Sequence, residues 1–188
     1  AEYLTAQGKL KSEGFVATVM SNLGLHKFCE ENHLKLLCAA VGDRNVLELM
    51  QKESMVLGGE QSGHIIFLEH MTTGDGQLAA LQFLSILGQS GKKASELAGQ
   101  ITHYPQLLQN VKVGSNEEKT AILNSAELAA IVAREEERLA GHGRILLRAS
   151  GTEPLIRVMA EADTQDLAEL VVKTLVQAVE NIQKILNK

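Results

Sequence analysis

Apolar and polar residues follow one another along the first hundred positions in a pattern typical of strands separated by helices. Short aliphatic and β-branched runs predict strands at 15–20, 34–41, 55–57 and 65–68. Helical spacing of apolar residues predicts helices at 1–7, 23–31, 46–52, 77–87 and 94–101. The strand at 34–41 is almost continuously apolar, so we expect burial on both faces. The helix at 77–87 is apolar around most of its circumference, so we expect it to be deeply buried.

Strands that alternate with helices predict an α/β layered domain with a mixed sheet. The pattern changes at Tyr104-Pro105, which predicts two domains, 1–104 and 105–188. The opening residues look like the end of a helix, so we expect the chain to be part of a longer protein.

The second half predicts a small α+β domain, TBP-like, with two helices on an antiparallel sheet. Its predicted elements are a strand at 107–113, a polar loop at 114–118, a helix at 124–140, hairpin strands at 145–147 and 155–159, and a final helix from 163. Asn124 and Glu127 have the spacing of a capping box at the start of the first helix. The acidic run Glu135-Glu136-Glu137 is expected on a solvated face of that helix.

Charge and composition exclude two classes of partner. The net charge is −5, from 18 basic and 23 acidic residues, and neither half has a basic excess. Aromatic residues make up 3% of the chain and Trp is absent, which leaves little for binding nucleic acid. No apolar run approaches the roughly 20 residues that span a bilayer, so no membrane partner is expected. We interpret Cys29 and Cys38 as reduced, buried residues of a cytoplasmic protein.

The hairpin tip at 148–157, with the sequence Arg-Ala-Ser-Gly-Thr-Glu-Pro-Leu-Ile-Arg, is suited to a phosphate dianion. Its candidate phosphate-binding residues are Arg148, Ser150, Gly151, Thr152 and Arg157. Guanidinium forks match phosphate oxygens two at a time, hydroxyls donate hydrogen bonds, and a glycine lets backbone N–H groups approach an anion. The residues alone leave open an ordinary hairpin, in which the arginines pair with Glu153 or Glu161.

The glycine-rich stretch at 58–64, Gly-Gly-Glu-Gln-Ser-Gly-His, is the second candidate. Its glycines would let the backbone approach a ligand. Glu60 and Ser62 can hydrogen-bond vicinal hydroxyls, and His64 could move a proton or bind phosphate. The alternative is a glycine-rich turn whose histidine finds a partner near the surface.

Gly42, Asp43 and Arg44 form a third candidate, at the end of a predicted strand where α/β sheets bind ligands. An aspartate that caps the next helix would look the same. Asp75, within Thr-Thr-Gly-Asp-Gly at 72–76, is interpreted as a helix cap. The other histidines and the two cysteines have no metal-ligand spacing, so no metal site is expected in this chain.

The motifs at 58–64, 72–76 and 148–154 resemble, in order and spacing, the α-D-phosphohexomutase superfamily and, within it, the bacterial phosphoglucosamine mutases. The resemblance covers essentially the whole chain and implies a parent of four domains, of which this chain holds the third and fourth. It implies interconversion of glucosamine 6-phosphate and glucosamine 1-phosphate through a phosphoserine and a bisphosphate, with magnesium. Two positions depart from the family pattern: Ala149 stands where Pro is common, and Asn45 where an aromatic residue is usual.

The resemblance also implies what each loop does. Glu60 and Ser62 would contact sugar hydroxyls, with His64 alongside as the candidate for proton transfer, and the 42–44 loop would face the ligand. The tip at 148–157 would hold the phosphate that is not being transferred. The phosphoserine and magnesium loops belong to the first two domains, so we expect this chain to hold no cofactor, to bind a phosphosugar and to be inactive without those domains. Open alternatives are a mannose or glucose phosphate mutase, a non-catalytic phosphosugar-binding module, and a structural or interaction protein.

Overall fold

The computed structural model describes residues 1–187, which divide into two compact units, 1–102 and the chain from His103 onward. The first unit contains α1 (Glu2–Ala6), β1 (Gly14–Thr18), α2 (Leu23–Glu31), β2 (Lys35–Ala39), α3 (Asp43–Lys52), β3 (Leu57–Gly59), β4 (Ile65–Phe67), α4 (Gly76–Ser90) and α5 (Ala94–Ala98). The second contains β5 (Gln106–Lys112), α6 (Asn116–Leu123), α7 (Ala126–Leu139), β6 (Gly143–Ala149), β7 (Leu155–Ala162) and α8 (Gln165–Leu186).

The sheet of the first unit is mixed, with the strand order β2-β1-β3-β4. β2 and β3 run parallel to β1, and β4 returns antiparallel to β3. Successive residues of β1 point into two different cores: Val16 packs with residues of α3, whereas Phe15 and Ala17 pack with residues of α2. Helices therefore cover both faces of the sheet, and the predicted α/β layered class is confirmed.

Polar side chains set the start of two helices in this unit. The Asn22 side chain accepts a hydrogen bond from the Gly24 N–H at the start of α2. Asp75 Oδ1 accepts from the N–H groups of Gln77 and Leu78, at 2.9 and 3.0 Å, so its predicted role as the cap of α4 is confirmed.

Two burial predictions for this unit are wrong. β2 is an edge strand, so most of its residues are partly or fully exposed, and Cys38 is exposed although Cys29 is buried. α4 contains no buried residue, and Leu81 and Leu84 are 66% and 58% exposed. This helix contacts β4, the other edge strand, rather than the centre of the sheet, so its apolar circumference is covered on one side only.

The second unit is a three-stranded antiparallel sheet in the order β5-β7-β6, so its α+β class is confirmed. Ile156 and Val158 lie in the core that this sheet forms with α8, which contributes Val171 and Leu175. Arg157, between the two core residues on β7, projects to the opposite face because successive strand residues alternate.

A short helix, α6, lies where the sequence analysis expects a polar loop. Ser115 caps it by accepting a hydrogen bond from the Glu118 N–H, and the Ser-x-x-Glu spacing was the overlooked signal. Asn124 ends α6 and Ser125 precedes α7, so the predicted capping box of Asn124 with Glu127 is wrong.

The acidic run of α7 is not wholly solvated either. Glu135 is fully buried and pairs with Arg134 and Arg138.

Candidate functional site

A cavity of about 430 Å³ lies at the carboxyl ends of β1, β2 and β3. Its lining residues are Thr18, Met20, Val41, Gly42, Asp43, Glu60, Gln61, Ser62 and His64. The chain passes from β1 through α2 to β2 on one side, and then through α3 to β3 on the other, so the strand order reverses here. Such a reversal leaves a crevice at the carboxyl edge of an α/β sheet, where ligands bind.

A hydrogen bond joins two of the predicted loops. Glu60 Oε1 accepts from the Gly42 N–H at 2.9 Å, which holds the carboxylate at the cavity wall. A carboxylate has about four acceptor positions, so Glu60 can still accept hydrogen bonds from a ligand's hydroxyls. Gly42 has a φ of 124°, in the region that favours glycine, and the side chain that follows it, Asp43, also lines the cavity.

Packing accounts for two of the glycines at 58–64, and backbone conformation accounts for the third. A Cβ atom on Gly58 would collide with the sulfur of Met50, and one on Gly59 would lie 2.7 Å from the backbone oxygen of His64. Gly63 has a φ of 102° in the turn that Glu60 and His64 close by a backbone hydrogen bond of 2.9 Å. Packing therefore accounts for Gly58 and Gly59, because Gly58 makes room for Met50 of α3 and Gly59 for the backbone of the hairpin. Their role in admitting a ligand stays a prediction.

His64 and Ser62 lie side by side at the cavity. Ser62 Oγ and His64 Nδ1 are 3.4 Å apart, and both residues are exposed. Gly74 packs against the histidine, since a Cβ atom there would lie 3.1 Å from His64 Cδ2. The 72–76 motif thus contributes more than the cap at Asp75, because its glycine leaves room for the His64 ring.

Arg44 is not brought into this group. Its Nε donates to Glu48 Oε1 at 2.8 Å on the exposed side of α3, and Arg44 is absent from the cavity lining. The structure therefore unites Gly42, Asp43 and Glu60 with the 62–64 turn, but leaves Arg44 outside.

In the second unit, Arg148 on β6 and Arg157 on β7 are directly opposite each other in the strand register. Neither arginine forms an ion pair among residues 1–187, and the Nε atoms of both are buried without a hydrogen-bond partner there. Glu161, one of the carboxylates that could have paired with them, is fully buried against Arg144, with 2.6 Å between Arg144 Nε and Glu161 Oε2. The ordinary-hairpin alternative, which needs carboxylate partners, is therefore wrong.

The arginine pair is electrostatically unfavourable without an anion. Burial, and then the neighbouring charge of Arg157, hold the pKa of Arg148 below its ordinary value. Like charges directly across an antiparallel pair destabilise a sheet. Two guanidinium groups that repel each other and keep unpaired donors form a site that an oxyanion would stabilise.

The loop between β6 and β7 is closed by its own residues. Ser150 is 2% exposed, its N–H donates to the Leu155 oxygen at 3.0 Å, and its Oγ accepts from the Glu153 N–H at 3.3 Å. Gly151 and Thr152 are exposed at the outer end of the loop. Ser150 thus shapes the tip from inside, whereas Gly151 and Thr152 lie at its exposed end.

Sequence reasoning missed Lys119 of α6. Its Nζ donates to the backbone oxygen of Ser150 at 2.7 Å and to that of Glu153 at 3.3 Å. The helix that carries it could have been found from the Ser115 cap. A lysine that points inward has no sequence signal of its own, because lysine is ordinarily a surface residue.

Residues 1–187 contain neither a metal-ligand cluster nor a membrane-spanning helix. No group of three or more His, Cys, Asp or Glu side chains there is arranged to hold a metal ion. No helix in the same range combines the length and the apolar character needed to cross a bilayer.

Family comparison accounts for both units. Residues 1–104 match the model of the phosphoglucomutase/phosphomannomutase α/β/α domain III, and residues 108–178 match that of the C-terminal domain. The chain belongs to the phosphoglucomutase/phosphomannomutase family. Among its relatives in this family is the phosphoglucosamine mutase of Ligilactobacillus salivarius, to which it is 49% identical over 179 residues. The aligned region covers 95% of this chain and 39% of that relative. The chain is 54% identical over 169 residues to the phosphoglucosamine mutase of Anoxybacillus flavithermus, covering 90% and 37%.

The resemblance to the C-terminal half of bacterial phosphoglucosamine mutases is thereby confirmed. The chain spans about 40% of the length of these relatives.

Solved structures share the fold of this chain. An Aspergillus fumigatus N-acetylphosphoglucosamine mutase has a TM-score of 0.80 at 23% identity, with coverage of 97% of this chain and 41% of that one. An N-acetylglucosamine-phosphate mutase, described as a member of the α-D-phosphohexomutase superfamily in its product complex, has a TM-score of 0.69 at 22% identity, with coverage of 87% and 38%. The Aspergillus enzyme has also been crystallised with GlcNAc-6P and magnesium.

Proposed function

We propose that this chain is the substrate-binding C-terminal part of a phosphoglucosamine mutase, a cytoplasmic isomerase that interconverts glucosamine 6-phosphate and glucosamine 1-phosphate. The second unit binds the phosphate that is not being transferred, and the first binds the hydroxyls of the sugar. Relatives at 49–54% identity that carry the name phosphoglucosamine mutase support this choice over mannose and glucose phosphate mutases.

The observation that carries the proposal is the facing pair of arginines. Arg148 and Arg157 are opposed in register, have no carboxylate partners and keep buried Nε donors unused. A phosphate monoester supplies several acceptor oxygens and up to two negative charges, which match the guanidinium groups of the two arginines. The exposed hydroxyl of Thr152 and the N–H groups of the loop add further donors.

The first unit supplies the groups that a sugar ring needs. Glu60, anchored by the Gly42 N–H, accepts hydrogen bonds from hydroxyls, and Ser62 can donate or accept. His64 is our candidate for proton transfer to or from a hydroxyl, or for contact with phosphate. Because this chemistry requires the substrate to bind in two orientations, contacts to the ring are more useful than contacts to one reacting oxygen.

Magnesium does not fit the residues present. The described residues 1–187 offer no cluster of three or more metal-ligating side chains. We assign magnesium and the phosphoserine to the parent's other domains, with which this chain would act. This chain contributes binding and orientation, and we expect it to have no mutase activity by itself.

A chimera tests the assignment. This chain is fused to the first two domains of the Ligilactobacillus salivarius relative, replacing that enzyme's own C-terminal part. We expect the chimera to interconvert the two glucosamine phosphates, faster than it does mannose phosphates, and we expect the chain alone to be inert. The matched control is the same chimera with Arg148→Ala, which should lose most of its activity.

Turnover by the purified chain alone would refute the division of labour. A folded chimera that prefers mannose 6-phosphate would refute the sugar assignment. If the purified chain bound no phosphosugar, a structural role would be favoured.

A further inference from the structure

Lys119 is buried behind the hairpin tip, with 7% of its surface exposed. Lysine is seldom buried without a partner. In the part of the chain that the structure describes, its partners are backbone carbonyls: Nζ donates to Ser150 O and Glu153 O at 2.7 and 3.3 Å. The ammonium group therefore binds both sides of the loop, and these uncharged carbonyl partners leave its positive charge unneutralised.

The contact with Ser150 also orients the next peptide group. A trans peptide is planar, and its C=O and N–H point in opposite directions. The chain contains no cis peptide among its described residues. Because the Ser150 oxygen points to Lys119, the N–H of Gly151 must point away from Lys119, toward the outside of the tip.

This N–H is available to a ligand. Within residues 1–187, the backbone N–H groups of Gly151 and Thr152 donate no hydrogen bond, and both residues are exposed. Consecutive N–H groups at the tip of a turn form an anion-binding concavity. The position behind them, where carbonyl oxygens would otherwise face each other, is occupied by a positive charge.

We propose that Lys119 is a positioning residue of the phosphate site. It aims the Gly151 N–H at the anion by fixing the Ser150 and Glu153 carbonyls. It also adds a third positive charge to that of Arg148 and Arg157 without touching the ligand. The inference rests on the proposed function, since it assigns a role in binding the same phosphate.

The test is a titration of the full chain with inorganic phosphate, monitored both by the amide resonance of Gly151 and by calorimetry, and then repeated with glucosamine 6-phosphate. For each ligand, the wild-type Gly151 amide should shift with the same Kd as the calorimetric signal. Lys119→Met, which keeps an apolar stem but removes the ammonium, should raise Kd about ten-fold and reduce the Gly151 shift. Lys119→Arg should restore binding to within about three-fold of wild type, because it keeps the charge and the donors.

Lys173→Met is the matched control. Lys173 is exposed on α8, so this variant loses the same charge with no carbonyl contact, and its Kd should stay within two-fold of wild type. A Lys119→Met chain that remains folded and binds phosphate within two-fold of wild type would overturn the inference.

If Lys119→Met does not fold, the wild-type titration decides. A Gly151 amide that stays in place while phosphate binds overturns the inference, and one that moves with the binding Kd supports it. A wild-type chain that binds neither phosphate nor glucosamine 6-phosphate would instead refute the proposed function, and this inference with it.

Discussion

Replacing Arg157 by Met should stabilise the second unit in the absence of phosphate. Arg157 faces Arg148 in the strand register, and neither is neutralised by a carboxylate. For an illustrative separation of about 7 Å, two unit charges repel by about 0.6 kcal/mol in a water-like dielectric and by about 2.4 kcal/mol at an effective dielectric of about 20. Both side chains are partly exposed, so solvent screening brings the expected gain to about 0.5–1 kcal/mol.

Amide hydrogen exchange at Val158 is the suitable assay, because this residue lies in the central strand and reports the opening of the second unit itself. A gain of about 0.5–1 kcal/mol corresponds to a rise in Tm of about 2–6 °C for a domain of this size. The difference from wild type should shrink as salt is added, because salt screens the repulsion. The same variant should lose affinity for phosphate, so stability and binding move in opposite directions.

Arg144→Met is the matched control on the same face of β6. It leaves fully buried Glu161 without the Arg144 charge, so it should destabilise the unit by about 3 kcal/mol. If Arg157→Met instead destabilised the unit to the same extent, Arg157 would be a structural partner like Arg144. The interpretation of the arginine pair as an anion site would then be refuted.

Two further substitutions and the ionisation of Cys29 have defined outcomes. Gly151→Ala should leave Tm unchanged or raise it slightly, because the added Cβ meets no atom within 4 Å. The same variant should bind phosphate several-fold more weakly. A clear fall in its Tm would contradict this prediction. Gly74→Ala should displace the His64 ring with little loss of stability, and the displacement should change the His64 resonance. An unchanged resonance would contradict the packing of Gly74 against His64. Burial raises the pKa of the Cys29 thiol to about 11, so iodoacetamide at pH 8 should modify exposed Cys38 well before Cys29, as peptide mapping would show. Because the unfolded thiol ionises first, the Cys29 contribution to stability should be complete below pH ~8.5 and lost as the pH rises through about 11.

The sequence predicts the helices and strands well, but it predicts their burial poorly. Periodicity predicts α4 correctly as a helix, but its burial depends on where it packs, and it packs at a sheet edge. The same holds for β2, which is apolar enough for the centre of a sheet and lies at its edge. Strand order depends on the whole domain, so the hydrophobicity of one segment cannot predict it.

The candidate site shows the same division. The sequence predicts Arg148 as a phosphate-binding residue, because its chemistry is explicit in its side chain and its motif. It cannot show that Gly58 is required by Met50, or that the Glu161 carboxylate is unavailable to the arginines, since both depend on contacts between distant segments. Lys119 was missed for this reason, because its role depends on carbonyl groups 31 and 34 positions away.

Calorimetry of the chain with glucosamine 6-phosphate, for wild type and Arg148→Ala, tests the central claim most directly. The account predicts measurable binding by the wild-type chain and at least a ten-fold higher Kd for the variant, with the fold of both chains intact. Equal affinity of the two folded chains for glucosamine 6-phosphate would contradict it.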